Sequence, residues 1–235
     1  MKEQKPSVVD LGNKTLGDVL MLALPPHVSP LLDIGCGSGD IIRAYARAGT
    51  PAAVGLDIKS VFAPLLPHSS GELFVQADSR ALPFMDETFS AVLMVNSLHH
   101  IPYVDHPLLI SEVRRVLAKY GTLCVIEARC TGPAYEVTRM IDDENDVAAQ
   151  AQLTLSQMNH TRWAATQFMD FTDKWRVSDI DTLSAHYHKC KGHLQIITEK
   201  RTEIDNLLAR LTRCEDGPGV GIDANLRLRA FRKLA

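Results

Sequence analysis

The stretch PLLDIGCGSGD, residues 30–40, joins a short apolar run to three glycines at alternate positions. A helix-forming run follows it and closes with Gly49, a residue typical of helix C-termini. Glycines let a ligand approach the backbone closely, and the free N–H groups at a helix N-terminus attract a negatively charged group. The stretch therefore predicts a strand, a turn and a helix that together bind a nucleotide-like ligand.

Further along the chain, apolar runs that end in polar residues predict more strands of the same sheet. Three such runs end at Asp57, Asp78 and Asn96, and another strand is predicted at 122–128. Helical segments alternate with these strands, which predicts a doubly wound parallel sheet covered on both faces. Because ligands bind at the carboxyl ends of such strands, the polar residues are expected at one rim. There Asp57 can accept hydrogen bonds from both hydroxyls of a ribose.

Two segments carry a resemblance to a known family. Residues 33–39 have the form Asp-x-Gly-x-Gly-x-Gly, and residues 82–101 contain Leu-Pro-Phe, Phe-Ser-x-Val and Leu-His-His-Ile in that order. This arrangement resembles the class I S-adenosylmethionine-dependent methyltransferases, in particular their ubiquinone/menaquinone-type small-molecule branch. The resemblance covers residues 28–130 closely and 178–235 loosely. It implies S-adenosyl-L-methionine as cofactor, S-adenosyl-L-homocysteine as product and a small-molecule substrate.

The resemblance also implies which residues bind the cofactor. The glycine turn is expected beside the methionine part of the cofactor, Asp57 at the ribose and Asp78 at the adenine amino group. The nucleophile then has to be held about 3–3.5 Å from the methyl carbon, in a site that excludes water. The expected cofactor-binding residues are Asp33, Gly35, Cys36, Gly37, Gly39, Asp57, Ile58, Asp78, Ser79, Asn96 and Ser97.

Two residues near the rim are candidates for the methyl-transfer chemistry. His100 follows the fourth strand, where it is expected to face the methyl group as a base, an orienting donor or a wall residue. Its neighbour His99 is expected to point elsewhere. Arg129 follows the fifth strand and is interpreted either as a partner for a substrate carboxylate or phosphate, or as a surface arginine.

The remaining segments are interpreted as parts of one methyltransferase domain, 1–235. The apolar spacing of residues 14–24 predicts a helix that either covers the cofactor cleft or packs on the sheet. Residues 129–175 are predicted to form a helical insertion that caps the substrate. Residues 193–198 and 225–233 predict the last two of seven strands, and the alternation of apolar and basic residues at 225–233 predicts a reversed strand at the sheet edge. Further helices are predicted at 60–66, 105–119, 178–191 and 202–212.

Composition limits the classes of partner. The 235 residues are 46% hydrophobic and 23% charged, with a net charge of −3 and no basic block, which does not favour nucleic acid binding. No apolar run reaches the ~20 residues of a membrane span, and the first residues lack the apolar core of a signal peptide. Five scattered cysteines are typical of reduced thiols, so a cytoplasmic protein is expected, and a homodimer is compatible with the sequence.

Two further questions are whether the chain binds a metal ion and whether the same fold could serve another function. His186, His188, Cys190 and His193 offer four ligand atoms, but no second group has matching spacing. A helix end with histidines is the simpler interpretation, and no metal is assigned. The same fold is compatible with a cofactor-binding partner or sensor subunit, or with an enzyme that catalyses another reaction. NAD-dependent reduction is disfavoured by the glycine spacing and by Asp78.

Overall fold

An eight-stranded sheet forms the centre of the fold. The computed structural model describes residues 6–59, 71–158, 160–177, 179–186, 191–212 and 221–235. The strands are β1 (Val8–Asn13), β2 (Leu31–Ile34), β3 (Ala53–Asp57), β4 (Glu72–Gln76), β5 (Phe89–Val95), β6 (Leu117–Ala128), β7 (Trp163–Trp175) and β8 (Ile222–Lys233).

Helices join many of these strands and cover the sheet. Within the described ranges they are α1 (Leu16–Ala23), α2 (Asp40–Arg47), α3 (His106–Val116), α4 (Pro133–Thr138), α5 (Asn145–Ser156), α6 (Ile180–His186), α7 (Lys191–Glu199) and α8 (Arg201–Thr212). Two short 3-10 helices follow β5, at Leu98–His100 and Tyr103–Asp105. None of the helices in these ranges combines the length and the apolar character needed to cross a membrane.

The strand order is β1-β7-β8-β6-β5-β2-β3-β4, and only β8 runs against its neighbours. The predicted mostly parallel sheet with a reversed last strand is confirmed. The predicted edge position of that strand is wrong, because β8 lies between β6 and β7. Two of its basic side chains have partners inside the protein, since Arg227 donates hydrogen bonds to Asp170 of β7 and Arg229 lies over the ring of Phe168. Arg232, near the end of the strand, is exposed. The middle of the basic face is therefore covered, although the sequence of β8 alternates like that of an edge strand.

Apolar side chains pack on both faces of the sheet. Leu31 of β2 packs with α1 and α2 on one face, where Val19 and Tyr45 are buried. Leu32, the next residue, packs on the other face with α3 and α5. This two-sided burial explains why the central strands are largely apolar along their whole length. Because α1 packs on the sheet, the structure agrees with the second interpretation of residues 14–24.

Strand β7 is a clear difference from the prediction. It occupies the end of the predicted helical insertion, 129–175, and the described residues of that segment are helical in α4 and α5 alone. Residues 163–175 pair with β8 along its length. Aromatic side chains point to both faces of this strand, since Trp163 and Phe168 join one core and Phe171 joins the other. Aromatic residues on both faces hide the period of two that marks a strand, so the helical prediction for this part is wrong.

Residues 193–198 belong to helix α7 and not to a strand. Their β-branched residues favour a strand locally. However, Leu194 and Ile197 are three residues apart, and they pack in a third core with α4, α6 and α8. The loss of this strand and the gain of β1 and β7 turn the predicted seven strands into eight. The helix predicted at 60–66 lies outside the described residues.

Candidate active site

The glycine turn between β2 and α2 is built from left-handed backbone conformations. The φ angles of Gly35, Gly37 and Gly39 are 76°, 51° and 84°, which glycine adopts without the strain that a Cβ adds. A Cβ on Gly35 would lie 2.5 Å from the Cβ of Ser97, whereas a Cβ on Gly37 would meet no atom within 4 Å. The turn is thus packed tightly against Ser97 and open at Gly37, where a ligand can approach the backbone.

The turn borders a cleft of about 720 Å³ at the carboxyl ends of the parallel strands. This volume is typical of sites for small molecules. Asp33, Cys36 and Gly39 are buried and do not line the cleft, and Arg129 lines a separate pocket. Nine of the predicted site residues do line it: Gly35, Gly37, Asp57, Ile58, Asp78, Ser79, Asn96, Ser97 and His100.

Asp57 ends β3 with its carboxylate directed at the glycine turn. Its Oδ2 accepts a hydrogen bond from the Gly37 N–H at 3.1 Å, and its Oδ1 accepts one from the Lys59 N–H at 2.9 Å. The second bond is a local turn that fixes the carboxylate at the cleft wall. A carboxylate can accept about four hydrogen bonds, so Asp57 retains the capacity to bind ribose hydroxyls.

Asp33 comes immediately before the turn and is buried, and its Oδ2 has no hydrogen-bond partner. Burial, and to a lesser extent the charge of Asp57, raises the pKa of Asp33 to about 7. A buried carboxyl of this kind responds strongly to a cation brought near it. The methionine part of S-adenosylmethionine carries an ammonium group. The unpartnered acid next to an open glycine turn therefore fits this cofactor.

Asp78 follows β4 at the cleft, where an arginine binds its carboxylate. Arg80 donates to Asp78 from Nε at 3.0 Å and from Nη2 at 2.6 Å, and its Nη1 reaches Asp105 at 2.8 Å. The hydrogen bonds from Arg80 hold the pKa of Asp78 below its usual value. An adenine amino group would therefore meet an ionised carboxylate that only accepts hydrogen bonds and whose orientation Arg80 fixes.

Asn96 and Ser97 form a sharp turn at the end of β5. Asn96 has a φ of 47°, a conformation that asparagine adopts more readily than most residues. The Ser97 hydroxyl donates a hydrogen bond to the Ile34 carbonyl at 2.8 Å, which ties the end of β5 to the end of β2. The chain then enters the 3-10 helix that carries His99 and His100.

His99 is buried and paired with an acid from the neighbouring strand. Its Nδ1 is hydrogen-bonded to the carboxylate of Glu127, near the end of β6. The other Glu127 oxygen accepts the Leu98 N–H at 2.9 Å. Burial by itself would lower the pKa of His99, but the hydrogen bond to Glu127 and the charge of that residue raise it above its usual value. Two bonds therefore hold Glu127 and orient the His99 ring.

His100 lines the cleft and is more exposed than His99. Partial burial, followed by the charge of His99, lowers the pKa of His100. Glu144, at the start of α5, places Oε1 3.8 Å from His99 Nε2 and 3.9 Å from His100 Nδ1. His99 does not line the cleft, which agrees with the expectation that it points elsewhere, but its ring lies beside that of His100, with 4.1 Å between the centroids, and both imidazoles approach Glu144.

Glu127 and Glu144 are absent from the predicted site. The sequence could have indicated a role for Glu127, because a charged residue inside the apolar strand 122–128 is almost never buried unless it is paired. Glu144 belongs to the charge run at 142–146, which is typical of a solvated surface. Its place beside the histidines depends on how α5 folds back over the rim, and no local pattern reveals that.

Arg129 leaves β6 toward a polar pocket of about 290 Å³, separate from the cofactor cleft. It pairs with Asp170 of β7 at 3.1 Å, and Arg227 of β8 donates two hydrogen bonds of 2.6 Å to the same carboxylate. The hydrogen bonds from Arg227, together with the charges of both arginines, hold the pKa of Asp170 below its usual value. Arg129 is therefore part of an ion-pair cluster, and its contact with a substrate stays a prediction.

The histidine-rich segment around residue 190 is described only in part. His193 Nε2 pairs with Asp142 at 3.0 Å. The side chains of His186, His188 and Cys190 lie outside the described residues. The cysteines that the structure describes are free thiols: Cys36, Cys124 and Cys130.

Residues 32–125 match the protein family described as "Methyltransferase domain". The matched segment contains the glycine turn, Asp57, Asp78, His99 and His100. Over this segment the predicted resemblance to the class I S-adenosylmethionine-dependent methyltransferases is confirmed.

Curated relatives include several methyltransferases. The chain is 38% identical to a fatty-acid O-methyltransferase of Mycolicibacterium smegmatis, over 46% of this chain and 39% of that protein. It is 34% identical to a demethylmenaquinone methyltransferase of Roseiflexus castenholzii, over 51% and 50% of the two chains. It is 35% identical to a ubiquinone/menaquinone biosynthesis C-methyltransferase of Hahella chejuensis, over 46% and 48%. The chain thus spans half or less of the length of these relatives.

Solved structures share the fold at low sequence identity. A candidate methyltransferase from Bacillus halodurans C-125 has a TM-score of 0.62 at 20% identity, with 94% of this chain and 99% of that chain covered. The [4+2]-cyclase SpnF has a TM-score of 0.56 at 19% identity, with 94% and 80% covered. The predicted Rossmann-like methyltransferase fold is confirmed. Identities this low establish the fold alone and leave the reaction to the site.

Proposed function

We propose that this chain binds S-adenosylmethionine and transfers its methyl group to an oxygen, nitrogen or carbon nucleophile of a small molecule. The observation that carries the proposal is the cleft in which the glycine turn, Asp57, Asp78 and His100 meet. The family match of residues 32–125 supports it. When bound, the cofactor supplies an electrophilic methyl group on a sulfonium, so the protein has to bind, orient and exclude water.

The cleft residues divide the binding of the cofactor between them. The glycine turn is proposed to receive the methionine part, because Gly37 is open and Asp33, buried immediately before the turn, has one carboxyl oxygen without a hydrogen-bond partner. Asp57 accepts hydrogen bonds from the ribose hydroxyls, and Asp78 accepts one from the adenine amino group. Ile58, whose side chain is exposed next to Asp57, packs on the ring.

His100 marks the side of the cleft at which the nucleophile is held. It lines the cleft and borders Glu144, which comes from the insertion. In this proposal α4 and α5 form the cap over the substrate. Arg129, at the neighbouring polar pocket, is proposed to bind a carboxylate or phosphate of the substrate in exchange for Asp170.

The class of substrate is proposed only as a small metabolite or natural product. The curated relatives are named for fatty acids, demethylmenaquinone and ubiquinone/menaquinone biosynthesis, which favours small molecules. The family match ends at residue 125, before the insertion that carries Glu144. It therefore supports the cofactor and the type of reaction, and it does not select a particular substrate.

The proposal is tested with methyl-labelled S-adenosylmethionine and a small-molecule extract. The purified protein should pass label into an extractable product and form an equal amount of S-adenosylhomocysteine. Gly37→Val should abolish transfer, because its side chain enters the open side of the turn. Gly12→Val is the matched control: Gly12 has a φ of 61° and equally open surroundings, but lies on β1. Cofactor binding without transfer of label would favour a sensor subunit and contradict the proposed enzyme.

A further inference from the structure

Three side chains next to the cleft place ligand-type atoms around a common point. Their ligand atoms, from His99, His100 and Glu144, all lie within 4.8 Å of one another. Glu144 Oε1 is 3.8 Å from His99 Nε2 and 3.9 Å from His100 Nδ1, and both distances are too long for hydrogen bonds. Two ligands bound to one tetrahedral zinc ion at about 2.0–2.1 Å are separated by about 3.3–3.4 Å. Glu144 would therefore have to move about half an ångström closer to each imidazole to bind an ion together with them.

We propose that His99, His100 and Glu144 bind a divalent metal ion of the zinc class. Two imidazoles and one carboxylate are nitrogen and oxygen ligands that Zn²⁺ accepts. Three protein ligands leave a fourth coordination position for water or substrate, which is the arrangement of catalytic and not of structural zinc sites. The ligands come from two parts of the chain, the 3-10 helix after β5 and the start of α5.

Glu127 orients His99 for this role. It is buried, and it binds both the Nδ1 of His99 and the Leu98 N–H. These contacts fix the imidazole ring and leave Nε2 as the nitrogen directed at Glu144. Histidines that bind metal commonly donate their other ring N–H to a carboxylate in this way, which sets the tautomer and the ring orientation.

The charges around the three side chains favour a cation. The carboxylates of Glu127, Glu144 and Asp142 all act on the two imidazoles. A dication among these carboxylates would offset much of their mutual repulsion.

The chemical role of the ion deepens the proposed function and rests on it. His100 lines the cofactor cleft, so an ion bound to it lies at the wall of that cleft. As a Lewis acid, the ion would bind a substrate hydroxyl and lower its pKa, so that the O–H proton passes to water. The oxygen then forms a bond to the methyl carbon while the carbon–sulfur bond breaks and its electron pair stays on sulfur. The site therefore selects oxygen nucleophiles.

Metal binding is tested without reference to activity. The full chain, stripped with a chelator and then dialysed against Zn²⁺, should retain about one zinc ion per chain in elemental analysis. Replacement by Co²⁺ should give the visible absorption bands of cobalt bound to nitrogen and oxygen ligands. Absence of retained zinc in well-folded protein would overturn the site.

Variants assign the ligands. Glu144→Gln and His100→Ala change side chains that are not fully buried, so the fold should survive, and each should weaken zinc binding by at least ~10-fold. His160→Ala, at an exposed histidine elsewhere, should leave it unchanged. Equal zinc binding by all of these proteins would overturn the proposal.

Calorimetry with S-adenosylhomocysteine on the same samples separates the metal-site hypothesis from the proposed cofactor binding. If the cofactor binds and zinc does not, only the metal site is wrong.

Discussion

The acids at the cleft, next to its glycine turn and near the neighbouring polar pocket differ in their hydrogen-bond partners. Arginines bind Asp78 and Asp170, backbone N–H groups bind Asp57, and one oxygen of Asp33 has no hydrogen-bond partner. A carboxylate already bound by an arginine gains little from a further donor, whereas one with spare acceptor capacity gains more. Asp57 and Asp33 are therefore the acids whose replacement should report on the cofactor.

Asp57→Ala should weaken the binding of S-adenosylhomocysteine by about 1–3 kcal/mol, because the hydrogen bonds to the ribose are lost. Isothermal titration calorimetry measures the change. Asp10→Ala is a matched control, since Asp10 also accepts a backbone N–H two residues ahead, from Gly12 at 2.9 Å, but does so on the exposed strand β1. Equal affinity in Asp57→Ala and the wild type would show that the ribose assignment is wrong.

Asp33 makes the free energy of unfolding depend on pH. Burial raises its pKa to about 7 in the folded protein, from 3.8 for a free side chain. Between these values only the folded state keeps the proton, so stability is lost as the pH rises from about 4 to about 7. Asp33→Asn cannot ionise. Relative to the wild type it should therefore gain about 2–3 kcal/mol of stability when the pH is raised from 5 to 8.

Urea denaturation at the two pH values measures this gain. The comparison uses the difference between the two proteins at each pH, which removes the contribution of every other titrating group that they share. A difference that is the same at pH 5 and pH 8 would contradict the raised pKa of Asp33.

Helices and strands were predictable where local pattern and packing agree. Strands β2, β3 and β5 are buried on both faces, so each is a largely apolar run, and each ends at or directly before a polar or glycine residue. Strand β7 depends on its long pairing with β8, and α7 depends on the third core, so their local sequences mislead. Pairing and packing partners that are distant along the chain cannot be identified from a short stretch of sequence.

Helix α3 provides a direct test of the packing on one face of the sheet. Leu109 is fully buried there, whereas its neighbour Leu108 is 51% exposed. Leu109→Ala should lower the free energy of unfolding by about 2–5 kcal/mol, because it leaves a cavity in the core. Leu108→Ala should change it by less than about 0.5 kcal/mol. Urea denaturation compares the two, and similar losses would mean that α3 packs with a different face.

The candidate site, like the fold, has one part that the local sequence predicts and another part that only the tertiary packing brings together. The residues expected to bind the cofactor follow from one motif and from strand ends, which parallel strands bring to one rim. Nine predicted residues do line the cleft. Glu127 and Glu144 come from β6 and from the insertion, and only the three-dimensional packing places them beside His99.

The chain combines two parts that differ in their resemblance to known proteins. The part that is proposed to bind the cofactor lies within residues 32–125, which match the methyltransferase domain. The part that is proposed to face the nucleophile, with Glu144 and Arg129, lies beyond that match. A shared cofactor half with a distinct insertion explains how the type of reaction can be inferred while the substrate is not.

Calorimetry with S-adenosylhomocysteine on the wild type, Gly37→Val and Gly12→Val decides whether the cleft at the glycine turn is the cofactor site. The wild type and Gly12→Val should bind with equal affinity, because Gly12 lies on the edge strand β1. Gly37→Val should show no binding, since its side chain would occupy the open side of the turn. Absence of binding by well-folded wild type, or equal binding by Gly37→Val, would contradict the assignment of the cleft.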